Sequence, residues 1–163
     1  MRKKSLIIAT FLLIIDQIVK IVIDNTMMYG EIKTVISNFF YVTKVYNDGA
    51  AWSVLQGNVI FLIVVAVLAM VFLLQYERHF ENKYRNIMAF ALVYGGLLGN
   101  LVDRIMYGYV IDYFKVLIGS YSFPVFNLAD MAIVSGFILI IYSVLKGEDK
   151  NEVSSGKRKR KTR

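Results

Sequence analysis

VIFLIVVAVLAMVFLL, residues 59–74, is an apolar run without a single polar side chain. With its flanks it spans 58–75, close to the ~20 residues that an α-helix needs to cross the hydrocarbon core of a membrane. Three further stretches, 5–23, 86–106 and 126–146, are apolar and of similar length. Four such segments in 163 residues predict a membrane protein of the all-α class, a bundle of four transmembrane helices.

Positive charges are distributed unevenly around these four segments. Arg2, Lys3 and Lys4 precede the first, Arg78, Lys83 and Arg85 lie between the second and third, and Lys146, Lys150 and the run KRKRKTR at 157–163 follow the fourth. Positive residues near membrane spans favour the cytoplasmic side. The pattern therefore predicts two cytoplasmic termini and two external loops, 25–57 and 107–125. We expect the basic tail to lie near anionic lipid headgroups rather than to bind nucleic acid.

The composition supports a membrane protein and excludes several kinds of site. Apolar residues make up 57% of the chain and its mean hydropathy is +0.55. We expect one integral-membrane domain over 1–150, followed by a basic cytoplasmic tail over 151–163. The chain has no cysteine, which excludes disulfides and thiol nucleophiles, and its one histidine, His79, falls on the predicted cytoplasmic connection. We therefore predict neither a metal nor a cofactor.

The two external loops differ in their local signals. Residues 35–46 are rich in β-branched and aromatic side chains, which predicts a small sheet. Asn-Asp-Gly at 47–49 is a turn signal, and the apolar run 50–55 predicts a short interfacial helix with Trp52 at headgroup depth. The second loop, 107–125, is also rich in apolar residues, and we expect it to lie against the membrane surface as a loop.

Two carboxylates flank the second external loop. Asp112 lies in VIDYF, residues 110–114, and Asp130 in FNLAD, residues 126–130. A carboxylate at the edge of hydrocarbon is costly, and two of them brought together share one proton, as in an aspartic peptidase. The residues alone leave other roles open, namely interfacial anchors, helix caps or a transport pathway. Asn127 is the better candidate for the helix cap.

A second group of polar residues lies within the predicted spans. Asp16 and Lys20 are four residues apart and share one face of the first helix, which predicts a structural ion pair. Asn100, Asp103 and Arg104 form a polar stripe near the outer end of the third helix. This stripe either pairs with the first helix or presents Asn100 and Arg104 to a bound peptide, and the sequence favours neither.

Two glycines of the third segment predict how closely it packs. Gly95 and Gly99 are four residues apart and form a small-xxx-small pair. Such a pair lets the backbone of a neighbouring transmembrane helix approach closely. We therefore expect the third helix to make a tight helix–helix contact along this face.

Five sequence blocks together resemble those of the lipoprotein signal peptidases, also called signal peptidase II. The blocks are DQIVK at 16–20, NDGAAW at 47–52, GNLVDR at 99–104, VIDY at 110–113 and FPVFNLAD at 123–130. They occur in order, on a four-span plan, over nearly the whole chain, so the combination is far more specific than any one block. Met131 and Tyr113 depart from the residues common in this family, and neither departure removes a reacting group.

The resemblance implies an aspartic endopeptidase of the bacterial inner or plasma membrane. Its implied substrate is a diacylglyceryl-modified prolipoprotein, cut just before the lipid-modified cysteine without a metal or cofactor. The family's catalytic aspartates fall on Asp112 and Asp130. Its substrate-binding or supporting residues fall on Asn47, Asn100, Arg104 and Asn127, and its structural polar network on Asp16, Lys20 and Asp103. The implied fold adds an extracytoplasmic β-cradle and a short interfacial helix.

Two rival functions come from other classes of protein. Intramembrane charges also line small transporters and proton-conducting subunits. In this chain, however, the charged groups gather toward one membrane face and the second helix is wholly apolar, so a continuous pathway is not evident. The other rival is a non-catalytic scaffold that binds lipoprotein precursors. Cleavage by the purified protein alone separates both from the peptidase.

Overall fold

The computed structural model describes residues 1–49 and 55–147 and contains the four long helices that the apolar segments predict. They are α1 (Arg2–Thr26), α2 (Val59–Tyr76), α3 (Tyr84–Tyr107) and α4 (Leu128–Leu145), with a 3₁₀ turn at Glu77–His79 after α2. All four helices are long and apolar enough to cross a membrane. The predicted four-span plan is therefore confirmed, although the first and third helices begin a few residues earlier than the apolar runs.

The third helix, α3, is the centre of the bundle. It contacts the other three helices, most extensively α1 and α4. In the apolar 18-residue stretch of α3, 67% of the residues are buried, whereas only 6% are buried in the corresponding stretch of α2. Nearly all of α2 therefore faces outward. Aromatic side chains of α3, Phe90 and Tyr94, pack with Leu73 and Phe80 in a buried core between α1, α2 and α3.

Glycines allow α3 to approach its neighbours this closely. Gly95 and Gly99 face α1, and a Cβ on Gly95 would lie 2.7 Å from Leu12 Cβ. Gly96 faces α4, while Gly136 of α4 faces α3, so close contacts occur on both sides of α3. The close approach predicted from Gly95 and Gly99 is confirmed, and α4 uses the same device.

A four-stranded antiparallel sheet covers one end of the bundle. Its strands are β1 (Ile32–Ile36), β2 (Phe40–Asn47), β3 (Val110–Ile118) and β4 (Tyr121–Ser122), in the order β1-β2-β3-β4. The sheet predicted within 35–46 is present, but the second external loop is not merely a loop on the membrane surface. It supplies β3 and β4, because pairing with β2 satisfies backbone groups that neither loop satisfies alone. Asp112 consequently lies on a strand.

Side-chain contacts join the sheet to the end of α1. The Lys44 ammonium donates to the Asp24 carbonyl oxygen at 2.8 Å, and the Tyr46 hydroxyl donates to Asp24 Oδ1 at 2.8 Å. Gly49 N donates to Asn47 Oδ1 at 3.0 Å, in agreement with the predicted turn. Two predicted segments fall outside the described residues: the interfacial helix at 50–55, which includes Trp52, and the tail at 151–163. Leu55 is the exception, and it lies in a turn.

Candidate active site

The first turn of α4 is closed by a reciprocal pair of hydrogen bonds. Asn127 is the N-cap: its Oδ1 accepts from Asp130 N at 2.9 Å, while Asp130 Oδ2 accepts from Asn127 N at 3.1 Å. This is a capping box, in which the side chain of each residue accepts a hydrogen bond from the otherwise unpaired backbone amide of the other. The predicted cap at Asn127 is confirmed, and it fixes the Asp130 side chain against the helix end.

The remaining amides of this helix end are satisfied by other elements. Leu128 N donates to the Tyr113 hydroxyl of β3 at 3.1 Å, and Ala129 N donates to Asp16 Oδ1 of α1 at 3.1 Å. A helix end buried inside a protein needs such partners for its free N–H groups. The start of α4 is therefore held between α1 and β3.

Asp112 enters the same region from β3 and is only 3% exposed. Its Oδ1 accepts from Asn127 Nδ2 at 2.7 Å and its Oδ2 accepts from Asn47 Nδ2 at 2.9 Å. The start of β3 is fixed by a bond from Ile111 N to Asp103 Oδ2 at 3.2 Å. Residues from β2, α3 and α4 thus determine where the Asp112 carboxylate lies.

The two carboxylates belong to one hydrogen-bonded group. Asp130 Oδ1 accepts from Asn100 Nδ2 at 2.7 Å, and Asn100 Oδ1 accepts from Asn127 Nδ2 at 3.0 Å. Since Asn127 also donates to Asp112, it contacts both carboxylates, which are remote in the chain. Hydrogen bonds thus join five of the six predicted catalytic and supporting residues: Asn47, Asn100, Asp112, Asn127 and Asp130.

Asp112 and Asp130 lie at the polar end of a cavity of about 540 Å³. Asn47, Asn100 and Arg104 line the same end. The remaining wall is mostly apolar and includes Val110, Phe123, Phe126, Ile133 and Val134. A concave apolar site with a few convergent polar groups is typical of a binding or catalytic site. This cavity fits a ligand that has an apolar part and a polar part.

Burial changes the acidity of Asp112. Removal from water, with a smaller contribution from the negative charge of Asp130, raises the pKa of Asp112 from its ordinary 3.8 to about 7. The hydrogen bonds from Asn47 and Asn127 act in the opposite direction because they stabilise the ionised carboxylate. Near neutral pH the pair of carboxylates can therefore keep one proton.

A cluster of charges adjoins the cavity inside the bundle. Lys20 is 1% exposed, and its ammonium lies 2.8 Å from Asp16 Oδ2 and 2.9 Å from Asp103 Oδ2. The ion pair predicted within α1 is present, and Asp103 joins α3 to α1. Gln17 Nε2 also donates to Asp103 Oδ1 at 2.8 Å. These charges compensate one another where solvent does not reach them.

Arg104 takes a different direction from Asp103 and does not pair with α1. Its Nη2 donates to the Gly49 carbonyl oxygen at 2.9 Å, and its Nη1 lies 3.4 Å from the Asn100 carbonyl oxygen. The two open interpretations of the polar stripe therefore apply to different residues. Asp103 pairs with the first helix, Arg104 faces the cavity, and Asn100 contacts both groups.

Sequence reasoning missed two residues that support this site. Tyr113 was noted only as a departure from the family, and Gln17 only as part of a block, yet each binds a group far away in the chain. The available signal was position: Tyr113 follows Asp112, and Gln17 follows Asp16.

Four helices able to cross a membrane, with a partly open cavity that bears two carboxylates at one end, define a multi-pass membrane enzyme. The chain belongs to the signal peptidase II family, because residues 8–146 match the family model described as "Signal peptidase (SPase) II". Members of this family are proteases. The match includes all nine site residues that the sequence singled out.

Relatives and solved structures agree with this membership. The chain is 40% identical to the lipoprotein signal peptidase of Staphylococcus haemolyticus, over 91% of this chain and 94% of the relative. It is 37% identical to that of Staphylococcus aureus, over 87% and 88%. Two structures of a bacterial membrane enzyme obtained by the in meso method are 36% identical, with TM-scores of 0.79 and 0.77. Each alignment includes 87% of this chain, and it includes 87% of the first solved chain and 92% of the second.

Proposed function

We propose that this protein is an aspartic endopeptidase that removes signal peptides from diacylglyceryl-modified bacterial prolipoproteins, cutting just before the lipid-modified cysteine. Family membership supports the removal of signal peptides from prolipoproteins. The observation that supports the aspartic mechanism is the presence of Asp112 and Asp130 in one cavity, both bound to Asn127.

The two carboxylates act on a water molecule held between them. The ionised carboxylate takes a proton from the water molecule, and at the same time the water oxygen bonds to the scissile carbonyl carbon. The protonated carboxylate meanwhile gives its proton to the carbonyl oxygen, and a neutral gem-diol forms. The carboxyl group that took the proton from water then gives it to the amide nitrogen, while the other carboxylate takes a proton from a gem-diol hydroxyl, so that the C–N bond breaks and a carboxylic acid and an amine are released. The pair titrates as a unit, so neither Asp112 nor Asp130 has a fixed role.

The neighbouring polar residues divide into two roles. Asn47, Asn100 and Asn127 donate to the carboxylates and orient them. Arg104 lines the cavity, and among the described residues no acceptor lies within hydrogen-bonding distance of its buried Nε. A peptide carbonyl of the substrate would satisfy this donor, since an unsatisfied buried donor costs free energy. Asp16, Lys20 and Asp103 form the structural polar network behind the site.

The substrate and the membrane position of the site fit each other. A diacylglyceryl group keeps its acyl chains in the outer leaflet, so the bond to be cut lies at headgroup depth. The apolar wall that includes Phe123, Phe126 and Val134 suits the lipid-bearing part of the substrate. We infer that both termini are cytoplasmic, that the site opens on the extracytoplasmic face, and that the basic tail lies near anionic headgroups.

Cleavage of a diacylglyceryl-modified precursor by the purified protein in detergent tests this function. We expect Asp112→Asn and Asp130→Asn each to lower kcat by about 10²-fold or more, the usual worth of a positioned acid or base. Asp24→Asn is the matched control, because its carboxylate is 39% exposed and lies outside the cavity. A folded Asn variant at either site with near-normal turnover would refute the proposal.

A further inference from the structure

The buried ammonium of Lys20 has a third contact beyond its two carboxylate partners. Its Nζ donates to Asn100 Oδ1 at 3.0 Å. Asn100 is the residue whose Nδ2 donates to Asp130 Oδ1 at 2.7 Å. A charge inside α1 is thus separated from a carboxylate of the cavity by a single side-chain amide.

This contact determines which way the Asn100 amide points. A side-chain amide has a donor end and an acceptor end, whereas a lysine ammonium only donates. With Lys20 and Asn127 both donating to Oδ1, the Nδ2 end is left for Asp130. Rotating the Asn100 amide by half a turn would set donor against donor at Lys20 and acceptor against acceptor at Asp130.

A second route leads from Lys20 to the other carboxylate. The ammonium lies 2.9 Å from Asp103 Oδ2, and the same oxygen accepts from Ile111 N at 3.2 Å. Ile111 directly precedes Asp112 on β3. Asp103 therefore depends on Lys20 for its charge compensation while it holds the backbone beside Asp112.

We propose that Lys20 is a positioning residue for the reaction: it orients Asn100 toward Asp130, and through Asp103 it holds β3 where Asp112 enters the cavity. This inference rests on the proposed function for its effect on catalysis. Its structural part, the orientation of Asn100, stands on the hydrogen bonds alone. The competing interpretation is an ion pair that stabilises the bundle and has no influence on the reacting groups.

Two variants separate these interpretations. Lys20→Met removes the donor but leaves Asp16 and Asp103 uncompensated, which destabilises a buried cluster. The double variant Lys20→Met with Asp16→Asn also removes the donor, yet it keeps the formal charge of the cluster at its original value. Asn at position 16 still has an oxygen to accept from Ala129 N. The double variant is therefore the more stable of the two, and it tests the loss of the donor without a change in the net charge of the cluster.

Kinetics of precursor cleavage give the first readout. We expect kcat of the double variant to fall about 10- to 100-fold with little change in KM. Losses of this size follow when a residue that orients a functional side chain is removed, as is known for the residues behind metal ligands. In Lys20→Met the acid limb of the pH profile should move to higher pH, because a positive charge beside the pair is lost. The other charged or titratable groups around the pair are Asp16, Asp103, Arg104 and Tyr113. In the double variant this displacement should be smaller while kcat stays low.

The side-chain amide resonances of Asn100 in ¹⁵N-labelled protein give a readout that does not require activity. We expect them to shift in the double variant, with Asn100→Ser used to assign them. A double variant with wild-type kcat, whatever its thermal stability, or with unchanged Asn100 resonances, would overturn the positioning role. Undiminished cleavage by Asp112→Asn or Asp130→Asn would instead refute the proposed function, whatever the Asn100 resonances do.

Discussion

Asn127 connects the local structure of α4 to the cavity through the two ends of one amide. Its oxygen accepts from Asp130 N, which starts the helix, and its nitrogen donates to Asp112 Oδ1 at 2.7 Å. A serine or aspartate would cap the helix as well but would not offer this NH₂ group. The choice of asparagine at this N-cap is therefore explained by the carboxylate beside it.

The raised pKa of Asp112 makes a prediction about the pH dependence of cleavage. The working form of the pair carries one proton, and deprotonation of Asp112 near its pKa of about 7 leaves two ionised carboxylates. We expect kcat/KM to decline above that pH by about tenfold per pH unit, since the required acid is lost. The rate of precursor cleavage, measured from about pH 5 to about pH 9, checks this. A rate that stays constant through the alkaline half of that range would contradict it, and Asp24→Asn should follow the wild-type profile.

The sequence identified the reacting carboxylates more easily than their supports. Asp112 and Asp130 stand out because a carboxylate beside hydrocarbon is costly and demands a reason. Tyr113 and Gln17 carry no formal charge, so burying them costs less free energy than burying a carboxylate and they stand out less in the sequence. Their importance comes from partners that are distant in the chain, Leu128 N and Asp103, and only the folded arrangement reveals those.

At the level of elements, α3 and α4 form the contact on which the geometry of the site depends. The Ala129 carbonyl oxygen lies against Gly96, and Ala129 directly precedes Asp130. Gly95 and Gly99 were recognisable from their spacing, but Gly96 and Gly136 were not identified as the contact with α4. Strand pairing was also hidden, because β2 and β3 are separated by two whole helices and each loop alone resembles a surface segment.

Gly96→Ala should displace α4 and disturb the site. A Cβ there would clash with the Ala129 carbonyl oxygen and lie 2.7 Å from Ile133 Cγ1. Overpacking of this kind costs about 1–3 kcal/mol, which outweighs the gain in helix propensity because the obstructing atom is backbone. We expect a lower Tm and a loss of turnover, since Asp130 moves with Ala129.

Ile138→Ala is the matched control for this prediction. Ile138 lies on the same helix, is 60% exposed and does not line the cavity, so its truncation should leave the α3–α4 contact unchanged. Thermal unfolding in detergent and precursor cleavage are measured side by side for both variants. If Gly96→Ala matches Ile138→Ala in both measurements, the contact at Gly96 does not position Asp130.

For the molecule as a whole, the placement of the sheet agrees with the distribution of charge. All four strands come from the two connections that carry few lysines, and they meet over the end of the bundle that contains the cavity. The basic connection between α2 and α3 lies at the opposite end, where Glu77 is buried and accepts from Ser5 Oγ at 2.7 Å. Positive residues near spans favour the cytoplasmic side, which supports the proposed extracytoplasmic position of the sheet and the cavity.

Cysteine labelling in intact cells tests this orientation directly, because the chain contains no cysteine of its own. We expect Phe39→Cys, at a position 50% exposed in the turn between β1 and β2, to react with a membrane-impermeant thiol reagent from outside. Tyr84→Cys, at a position 75% exposed at the start of α3, should react only after the membrane is permeabilised. Leu68→Cys, in the middle of α2, should remain unlabelled in both cases, because a thiol in hydrocarbon does not ionise. Labelling of Tyr84→Cys but not Phe39→Cys in sealed cells would reverse the orientation and put the carboxylate pair on the cytoplasmic side, away from the acyl chains of the proposed substrate.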